Sequence, residues 1–304
     1  MTEQLNIVEP LVTIVIPSYN HQKYITDCVA SVCTQNYKNL EIIVIDDGSS
    51  DDSPEILQRL ALTHNFKLII RENRGLAKTL NQAIEIAAGK YFCTMGSDDI
   101  MLPNKTSLQA SYMEKNADIA VCGGNVHYID GNGQRLLKHE KQLPERTLNF
   151  EELFTSSKTG IAAPTAMFRT AVLRRCGGYD PTSKLEDLPM WLKLTYSGQK
   201  IGSISDFILQ YRKHDSNTSK NLPLMIKTIT DAYHLYNAHS SYNEVMQTFL
   251  CSMFLKSAEY DPSLAFSLFK KINYRHYNSK IPRAFIRMIF SAIRQTLFHS
   301  KDIN

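Results

Sequence analysis

The sequence predicts an α/β protein built on a doubly wound, mostly parallel, Rossmann-like central sheet, with a helical extension at its C-terminal end. Two observations lead to this fold class. Continuous apolar runs rich in β-branched residues, such as residues 11–16 and 40–45, are typical of strands buried on both faces of a sheet. These runs alternate with helical stretches, which is the pattern of right-handed βαβ units.

The first hundred residues contain four predicted strands separated by three predicted helices. The first helix carries Ile25, Val29 and Val32 at helical spacing, and the second begins near Asp52. The third is predicted over residues 80–88, with Gly89 closing it as the C′ residue. The predicted strands span residues 11–16, 40–45, 66–70 and 91–95.

The second half of the chain has a less regular pattern. Strands are predicted at residues 119–122, 125–129, 165–169 and 204–211, with a hairpin turn at 130–133, a short helix around 172 and a helix over 185–194. From residue 222 onward the pattern is wholly helical. We therefore expect one domain over residues 1–219, made of halves 1–100 and 101–219, and a helical region over 220–304.

Composition and charge restrict the class of protein. The chain has 304 residues, of which 43% are hydrophobic and 21% charged, as in ordinary globular proteins. A net charge of +4 does not by itself indicate nucleic-acid binding, and we expect none. Residues 216–304 carry 11 Lys or Arg and 5 Asp or Glu, a net +6 that leaves −2 for residues 1–215. An acidic N-terminal part and a basic C-terminal part indicate that the two parts of the chain have different roles.

Cysteine spacing and hydropathy favour a cytoplasmic protein. The six cysteines are scattered without a CxxC pair, so neither structural zinc nor a disulfide framework is expected. The N-terminal residues lack the basic and apolar regions of a secretory signal. No window reaches the roughly 18 consecutive apolar residues that a membrane-spanning helix needs. We expect a protein that is soluble or peripheral to a membrane.

Polar clusters follow the ends of the predicted strands. In doubly wound sheets ligands bind beyond the carboxyl ends of the strands, so clusters at several strand ends are expected to meet at one edge. Each cluster alone is also compatible with turn chemistry, and the functional interpretation comes from their convergence. The clusters are residues 18–20, 46–49, 73–75 and 97–99.

The adjacent acids Asp98 and Asp99 are the strongest candidate for a metal site. Two neighbouring carboxylates raise each other's pKa, and a divalent cation removes this penalty. Carboxylate oxygens are preferred ligands of Mg²⁺ and Mn²⁺. The alternative is that the pair caps the helix that follows, because Asp is a favourable N-cap residue.

Six motifs in order resemble inverting, GT-A-fold glycosyltransferases of family 2, of the type that builds bacterial surface polysaccharides. The resemblance covers roughly residues 11–219. The motifs are VTIVIPSYN at 12–20, DDGSSD at 46–51, NRGLAK at 73–78, SDD at 97–99, ED at 186–187 followed by the only Trp, and YRKH at 211–214.

The resemblance implies a donor site for a nucleotide sugar. Tyr19 would stack on the base, and Asp47 would accept a hydrogen bond from a base N–H, with a strand-end turn as the alternative for the Asp46–Asp47 pair. Lys78 would face the diphosphate, although a lone Lys is as often solvated surface. The residues assigned to nucleotide-sugar binding are Pro17, Tyr19, Asn20, Asp47, Asn73, Gly75, Lys78, Asp98, Glu186 and His214.

The same resemblance assigns the metal and the base. Asp99 is expected to be the direct ligand of Mn²⁺ or Mg²⁺ in a DXD-like motif, and His214 is expected to complete the metal shell. Asp187 is expected to be the catalytic base that takes the proton of the acceptor hydroxyl. The alternative for Glu186 and Asp187 is that they are first-turn acids favoured by the helix dipole. Pro189 stands where the family pattern has a second Asp, and Pro there fits only an early helix position.

The basic tail predicts an amphipathic helix over residues 280–301. Its cations fall on one face and its apolar residues on the opposite face, as in helices that lie in an anionic membrane interface. The alternative is a helix whose apolar face packs on the catalytic domain. The cations are Lys280, Arg283, Arg287, Arg294 and Lys301, and the apolar residues are Phe285, Met288, Ile289, Ala292 and Ile293.

These expectations define an inverting transferase that moves a sugar from a nucleotide sugar to a hydroxyl of a glycan acceptor. UDP is the expected nucleotide. The expected acceptor is a lipid-linked repeat unit of O-antigen (lipopolysaccharide) or capsule, handled at the inner face of the plasma membrane. A metal-dependent nucleotidyltransferase is a competing interpretation, but residues 17–20 do not form its Gly-rich basic phosphate loop. A catalytically inactive nucleotide-sugar-binding module is disfavoured because both the metal acids and the base acid are present.

Overall fold

A computed structural model describes residues 9–156, 160–214 and 221–299, and of residues 139 and 292–299 it describes the backbone only. The chain divides into two compact units. Among the described residues, one unit takes in 9–153 and 160–214, and the other takes in 154–156 and 221–299.

The first hundred residues form the predicted alternation of strands and helices. Four parallel strands lie in the order β3-β2-β1-β4, so that β1 occupies the centre of this half of the sheet. The elements are β1 (Val12–Ser18), α1 (Ile25–Cys33), β2 (Leu40–Asp47), α2 (Ser53–Ala61), β3 (Lys67–Arg71), α3 (Leu76–Ile86) and β4 (Tyr91–Thr94).

Apolar periodicity explains these elements. In α1, Ile25, Val29 and Val32 are fully buried against the sheet, as their spacing predicts. Burying each such side chain contributes about 1.5–3 kcal/mol. In β1, Ile14 and Val15 point to opposite faces of the sheet and both are fully buried, because helices cover the two sides.

The prediction for the end of α3 was wrong. The helix spans Leu76–Ile86 and its C-cap Ala87 is extended, so Gly89 does not close it. Gly89 instead lies against β1, where a Cβ would come within 2.5 Å of the Thr13 backbone nitrogen. The Gly89 amide donates to Thr13 Oγ1 at 2.9 Å. A glycine is needed at this position because the two backbone segments approach each other closely.

The second half of this unit extends the sheet with mixed pairing. β4 and β6 pair antiparallel with β8, β9 runs parallel to β6, and β5 and β7 pair antiparallel with β9. The elements are β5 (Ile100–Met101), α4 (Lys105–Lys115), β6 (Ile119–Ile129), β7 (Arg146–Leu148), α5 (Phe150–Phe154), β8 (Met167–Arg169), α6 (Thr170–Arg175), α7 (Asp187–Tyr196) and β9 (Lys200–Arg212).

Strand β6 is continuous, whereas the sequence predicted two strands interrupted at Gly123 and Gly124. Its register against β9 shifts near these glycines, and the strand passes through them. A Cβ on Gly123 would lie 2.6 Å from Ile161, and one on Gly124 would lie 2.7 Å from Ile208. The two glycines therefore admit large neighbours on both faces of the strand rather than ending it.

The other unit is helical in the part that the structure describes. The core of its helices includes Leu250, Phe254, Leu268, Ile281 and Ala284. No helix among the described residues is long and apolar enough to cross a membrane. The helices are α8 (Leu222–His234), α9 (Tyr242–Ser257), α10 (Pro262–Phe269) and α11 (Lys280–His299).

Candidate active site

The loops that follow β1 and β2 are tied together by polar contacts. Asn20 adopts a positive φ of 55°, which Asn tolerates better than most residues. Its backbone amide donates to Ser49 Oγ at 2.9 Å, and its side-chain oxygen accepts from the Ser50 amide at 2.8 Å. Pro17 lies within β1, and Tyr19 beyond it is 50% exposed. The two loops, held together by these hydrogen bonds, thus expose the Tyr19 ring to solvent at the end of β1.

Asp47 connects the ends of β2 and β3. Its two oxygens accept hydrogen bonds from the backbone amides of Arg74 (2.9 Å) and Gly75 (2.8 Å), and Arg71 Nη1 pairs with it at 2.6 Å. Gly48, with φ of 76°, packs so closely that a Cβ would lie 2.5 Å from the Asn73 nitrogen. Because a carboxylate has about four lone-pair sites, a base N–H would add to these contacts rather than replace them.

The start of α3 lies at the same edge of the sheet. Gly75 is its N-cap with φ of 87° and offers no side-chain cap. Asn73 and Lys78 are exposed, and Lys78 stands in the first helical turn. A cation in the first turn is unfavourable to the helix dipole, and an anion bound there would offset this cost. Asn73 and Lys78, both predicted to bind the nucleotide sugar, therefore lie near the end of β3 with their polar groups accessible.

The acidic turn after β4 curls over Gly96. A Cβ on this glycine would lie 2.8 Å from Asp99 Oδ2 and 2.9 Å from Asp98 Oδ1. Asp99 is 3% exposed, and its Oδ1 accepts from the Arg212 amide at 2.8 Å. Burial, reinforced by the charge of Asp98, raises the pKa of Asp99 well above its ordinary value. The turn is a costly arrangement of two acids, as the sequence predicted.

Arg212, at the end of β9, holds this turn in place. Its Nε donates to the Asp98 carbonyl at 2.7 Å, in addition to the backbone contact with Asp99. Its guanidinium lies over the Tyr24 ring at 4.7 Å from the centroid. The Arg212 side chain is buried, so a cation is fixed beside the two carboxylates by hydrogen bonds and by an aromatic face.

Two histidines converge on Asp98. Nε2 of His214 lies 2.8 Å from Asp98 Oδ2, and the His21 and His214 ring centroids are 5.8 Å apart. One ligand atom from each of His21, Asp98 and His214 lies within 4.8 Å of the others. Burial lowers the pKa of His21, partly offset by the charge of Asp98, so burial favours the neutral imidazole that metals bind.

This donor set fits a divalent cation. Ligands at about 2.1 Å from an octahedral ion stand about 3 Å apart when adjacent, which matches the 2.8 Å between His214 and Asp98. The cluster contains His214, one of the predicted ligands, together with His21 and Asp98. Asp99, predicted to be the direct ligand, is not part of this cluster, and its Oδ1 accepts from the Arg212 amide. Metal binding by Asp99 and His214 stays a prediction.

Glu186 and Asp187 stand at the start of α7. Glu186 is the N-cap and Asp187 the first helical residue, whose Oδ1 accepts from the Leu188 amide at 2.6 Å. Both side chains keep some exposure but are surrounded by protein. Burial, with a contribution from Asp187, raises the pKa of Glu186 to about 7, and burial also raises the pKa of Asp187. Pro189 is tolerated because it lies in the first turn, where its nitrogen needs no helical partner.

The charges of both acidic groups act on Tyr211, near the end of β9. Burial raises its pKa, and the charges of Asp99, Asp98 and Asp187 raise it further. The pKa of this one side chain is therefore raised by charges from both the acidic turn and the Asp187 carboxylate. The site can hold a cation on one side and keep a carboxylate available as a proton acceptor on the other.

Three residues of this site were not predicted from the sequence: His21, Tyr24 and Arg212. Tyr24 stacks on His214 with a centroid distance of 5.3 Å. A recess of about 230 Å³ opens at this loop, lined by Asn20, His21, Gln22, Lys23, Tyr24 and Asp51. Position in the chain was the available signal, since His21 directly follows the VTIVIPSYN motif and Arg212 directly precedes the Lys213–His214 pair.

Comparison with known proteins gives consistent matches. The family described as glycosyl transferase family 2 matches residues 13–177. A protein of Methanocaldococcus jannaschii, named an uncharacterized glycosyltransferase, is 28% identical over 208 residues, covering 67% of this chain and 71% of that protein.

Solved structures share the fold at low sequence identity. S. aureus TarS in complex with UDP-GlcNAc aligns with a TM-score of 0.61 at 19% identity, covering 87% of this chain and 77% of that one. The mannosyltransferase PcManGT of Pyrobaculum calidifontis, in complex with GDP-Man and Mn²⁺, aligns with a TM-score of 0.58 at 16% identity, covering 95% of this chain and 87% of that one. The sheet, the strand-end site and the family match together show that this chain is a GT-A-fold glycosyltransferase and belongs to glycosyl transferase family 2.

Proposed function

We propose that this chain transfers a sugar from a nucleotide sugar to a hydroxyl of a glycan acceptor by one direct displacement with inversion. The observation that carries the proposal is the presence of two separate acidic groups: a cluster at Asp98 that could hold a cation, and the carboxylate of Asp187 at the start of α7. A direct displacement needs these two functions at two places, one for the leaving group and one for the attacking hydroxyl.

The donor binds along the strand ends of residues 1–100. Tyr19 stacks on the base, and the loop held by Asp47 borders the nucleoside, with Pro17, Asn20, Asn73 and Gly75 shaping that surface. Lys78 faces the diphosphate. UDP is the proposed nucleotide, as in the UDP-GlcNAc complex of TarS.

Asp98 and His214 would hold the divalent cation, which would supply positive charge for the departing nucleoside diphosphate. Asp99 keeps Asp98 in position through the turn over Gly96 and through the Arg212 contacts. We infer Mn²⁺ rather than an oxygen-only Mg²⁺ site, because an imidazole belongs to the set.

Asp187 takes the proton of the acceptor hydroxyl. Its negative charge adds to burial in raising the pKa of Glu186 to about 7, so Glu186 exchanges between its protonated and ionised forms near neutral pH. Glu186 in its protonated form donates a hydrogen bond to donor or acceptor. Residues 101–219 supply the acceptor side of the cleft, and attack from the face opposite the leaving group inverts the anomeric carbon.

A lipid-linked glycan, the precursor of O-antigen or capsule, is the proposed acceptor, handled at the inner face of the plasma membrane. Helix α11 carries the supporting observation. Ile281, Ala284 and Met288 pack in the helical unit, whereas Ile289 and Phe290 are 59% and 67% exposed. Phe285, which the sequence placed on the apolar face, contacts Phe254 and Phe269 and is 36% exposed.

The exposed apolar stripe of α11 adjoins its cations. At about 100° per residue, Ile286, Ile289 and Phe290 lie between the packed face and the face of Arg283 and Arg287. An apolar stripe bordered by cations suits an anionic membrane interface. Lys301 and the side chains of Ala292, Ile293 and Arg294, which the sequence placed on these faces, lie outside the described residues.

Asp187→Asn tests the base. The amide cannot accept the hydroxyl proton, so transfer should fall by at least about 10²-fold, while the affinity for UDP measured by calorimetry changes less than about threefold. Asp118→Asn, which breaks an exposed pair with Lys200, is the matched control and should retain full activity. Loss of UDP binding in Asp187→Asn would assign Asp187 to structure, and failure to transfer from any UDP-, GDP- or dTDP-sugar with Mn²⁺ would refute the proposed function.

A further inference from the structure

His21 is held in a fixed position by contacts on both its backbone and its ring. Its amide donates to Ser53 Oγ at 3.1 Å, and its carbonyl accepts from the amides of Tyr24 and Ile25 at 2.9 Å each. Nδ1 of the ring lies 2.7 Å from Oγ of Ser97, the residue before Asp98. The imidazole is therefore oriented by the acidic turn itself, across 76 residues of sequence.

The geometry of the ring fits a metal ligand. When Nδ1 donates its proton to Ser97, the lone pair of the imidazole is on Nε2. Metal-binding histidines are commonly oriented in this way, with the second ring nitrogen held by a neighbouring acceptor. Ligands around an ion with bonds of about 2.1 Å are separated by about 3 Å to about 4.2 Å. One ligand atom from each of His21, Asp98 and His214 lies within 4.8 Å of the others, a bound close to that range.

We propose that His21 is a third protein ligand of the cation, so that two imidazoles and one carboxylate bind it and favour Mn²⁺ over Mg²⁺. This rests on the proposed role of the cation at Asp98 and His214. Imidazole nitrogen suits first-row transition ions, whereas Mg²⁺ prefers oxygen ligands and gives up its water reluctantly. His21 lines the recess of about 230 Å³ together with Tyr24, which gives the ion a route from solvent.

Pulsed EPR of the full chain loaded with Mn²⁺ alone, without donor or acceptor, counts the coordinated imidazole nitrogens. We expect two in the wild type, one in His21→Gln and one in His214→Gln. His64→Gln, an imidazole elsewhere in the same unit, should keep two. A single coordinated imidazole in the wild type, or an unchanged count in His21→Gln, would overturn the proposal. The wild-type count decides the question even if a variant does not fold.

Affinities for the two ions give an independent measurement. Free Mn²⁺ is titrated by its EPR signal, and Mg²⁺ affinity is measured by competition. His21→Gln should weaken Mn²⁺ binding by about tenfold or more and Mg²⁺ binding by less than about threefold, because the amide oxygen remains an acceptable ligand for Mg²⁺. A purely structural His21 would lower both affinities equally or leave both unchanged. Neither measurement involves sugar transfer, so both can be interpreted even if the proposed function fails its own test.

Discussion

Glu186 and Asp187 are adjacent acids with a shared environment, and their protonation couples stability to pH. The pKa of Glu186 is raised to about 7 from an ordinary 4.5 by burial and by the charge of Asp187. A folded-state pKa above the unfolded value means that the folded protein binds the proton more tightly. The resulting stability is complete below pH 4.5 and is lost as pH rises through 7.

Glu186→Gln should therefore stabilise the protein at alkaline pH. We expect a gain of up to about 3 kcal/mol at pH 8 that disappears below pH 4.5, because a neutral amide replaces a buried charge. Urea unfolding followed by the fluorescence of Trp191, which is buried and stacks on Phe168 in the same unit, measures it. Glu244→Gln, at an exposed first-turn position, is the control. Equal pH profiles for Glu186→Gln and wild type would contradict the assignment.

The sequence identified the acidic turn but not the different contacts that its two residues make. Adjacent acids have the same chemistry, and only the fold distinguishes them: Asp99 is turned toward the Arg212 amide, and Asp98 toward His214. Both contacts come from the end of β9 and the residues directly after it, more than a hundred residues further along the chain. His21 was missed for the same reason, since its relation to Ser97 is a tertiary contact.

At the scale of elements, the strands of the first half were predictable because their apolar runs are buried on both faces. Helix α4 was not predicted because its buried face mixes polar residues with the apolar Ala110 and Met113. Lys105 and Gln109 are fully buried, with Lys105 Nζ donating to Gln109 Oε1 at 2.7 Å. Gln109 in turn donates to the carbonyls of Cys122 and Thr165 at 2.7 Å each. Apolar periodicity is a weak signal for a helix whose buried face is partly polar and hydrogen-bonded.

The contact between Gly89 and β1 gives a prediction for the central sheet. Gly89→Ala would place a Cβ 2.5 Å from the Thr13 nitrogen, in the middle of the parallel strands, and the backbone there cannot move freely. We expect a loss of about 1–3 kcal/mol in the free energy of unfolding. Gly160→Ala, whose Cβ would meet its nearest atoms at 3.7 Å, should stay within about 0.5 kcal/mol of wild type. Urea unfolding by Trp191 fluorescence compares them, and equal stability of the two variants would rule out the steric argument.

At the scale of the whole chain, the charge is unevenly distributed. Residues 216–304 carry a net +6, while residues 1–215 carry −2. A single basic region in a near-neutral protein concentrates attraction to anionic surfaces in one part of the chain. Together with the exposed apolar stripe of α11, this charge distribution places the proposed membrane attachment and the proposed sugar-transfer site in different parts of the chain.

Membrane attachment through α11 is tested by the double variant Ile289→Ser with Phe290→Ser. These side chains are more than half exposed, so the change removes apolar area from the interface and leaves the packed residues Ile281 and Ala284 intact. Sedimentation with vesicles containing anionic lipid should show at least about tenfold weaker binding, and wild-type binding should fall as salt is raised. Leu235→Ser, at a 72% exposed position of the helical unit, is the matched control and should bind as wild type does. If the double variant sediments with vesicles as wild type does, the exposed stripe is not the membrane contact.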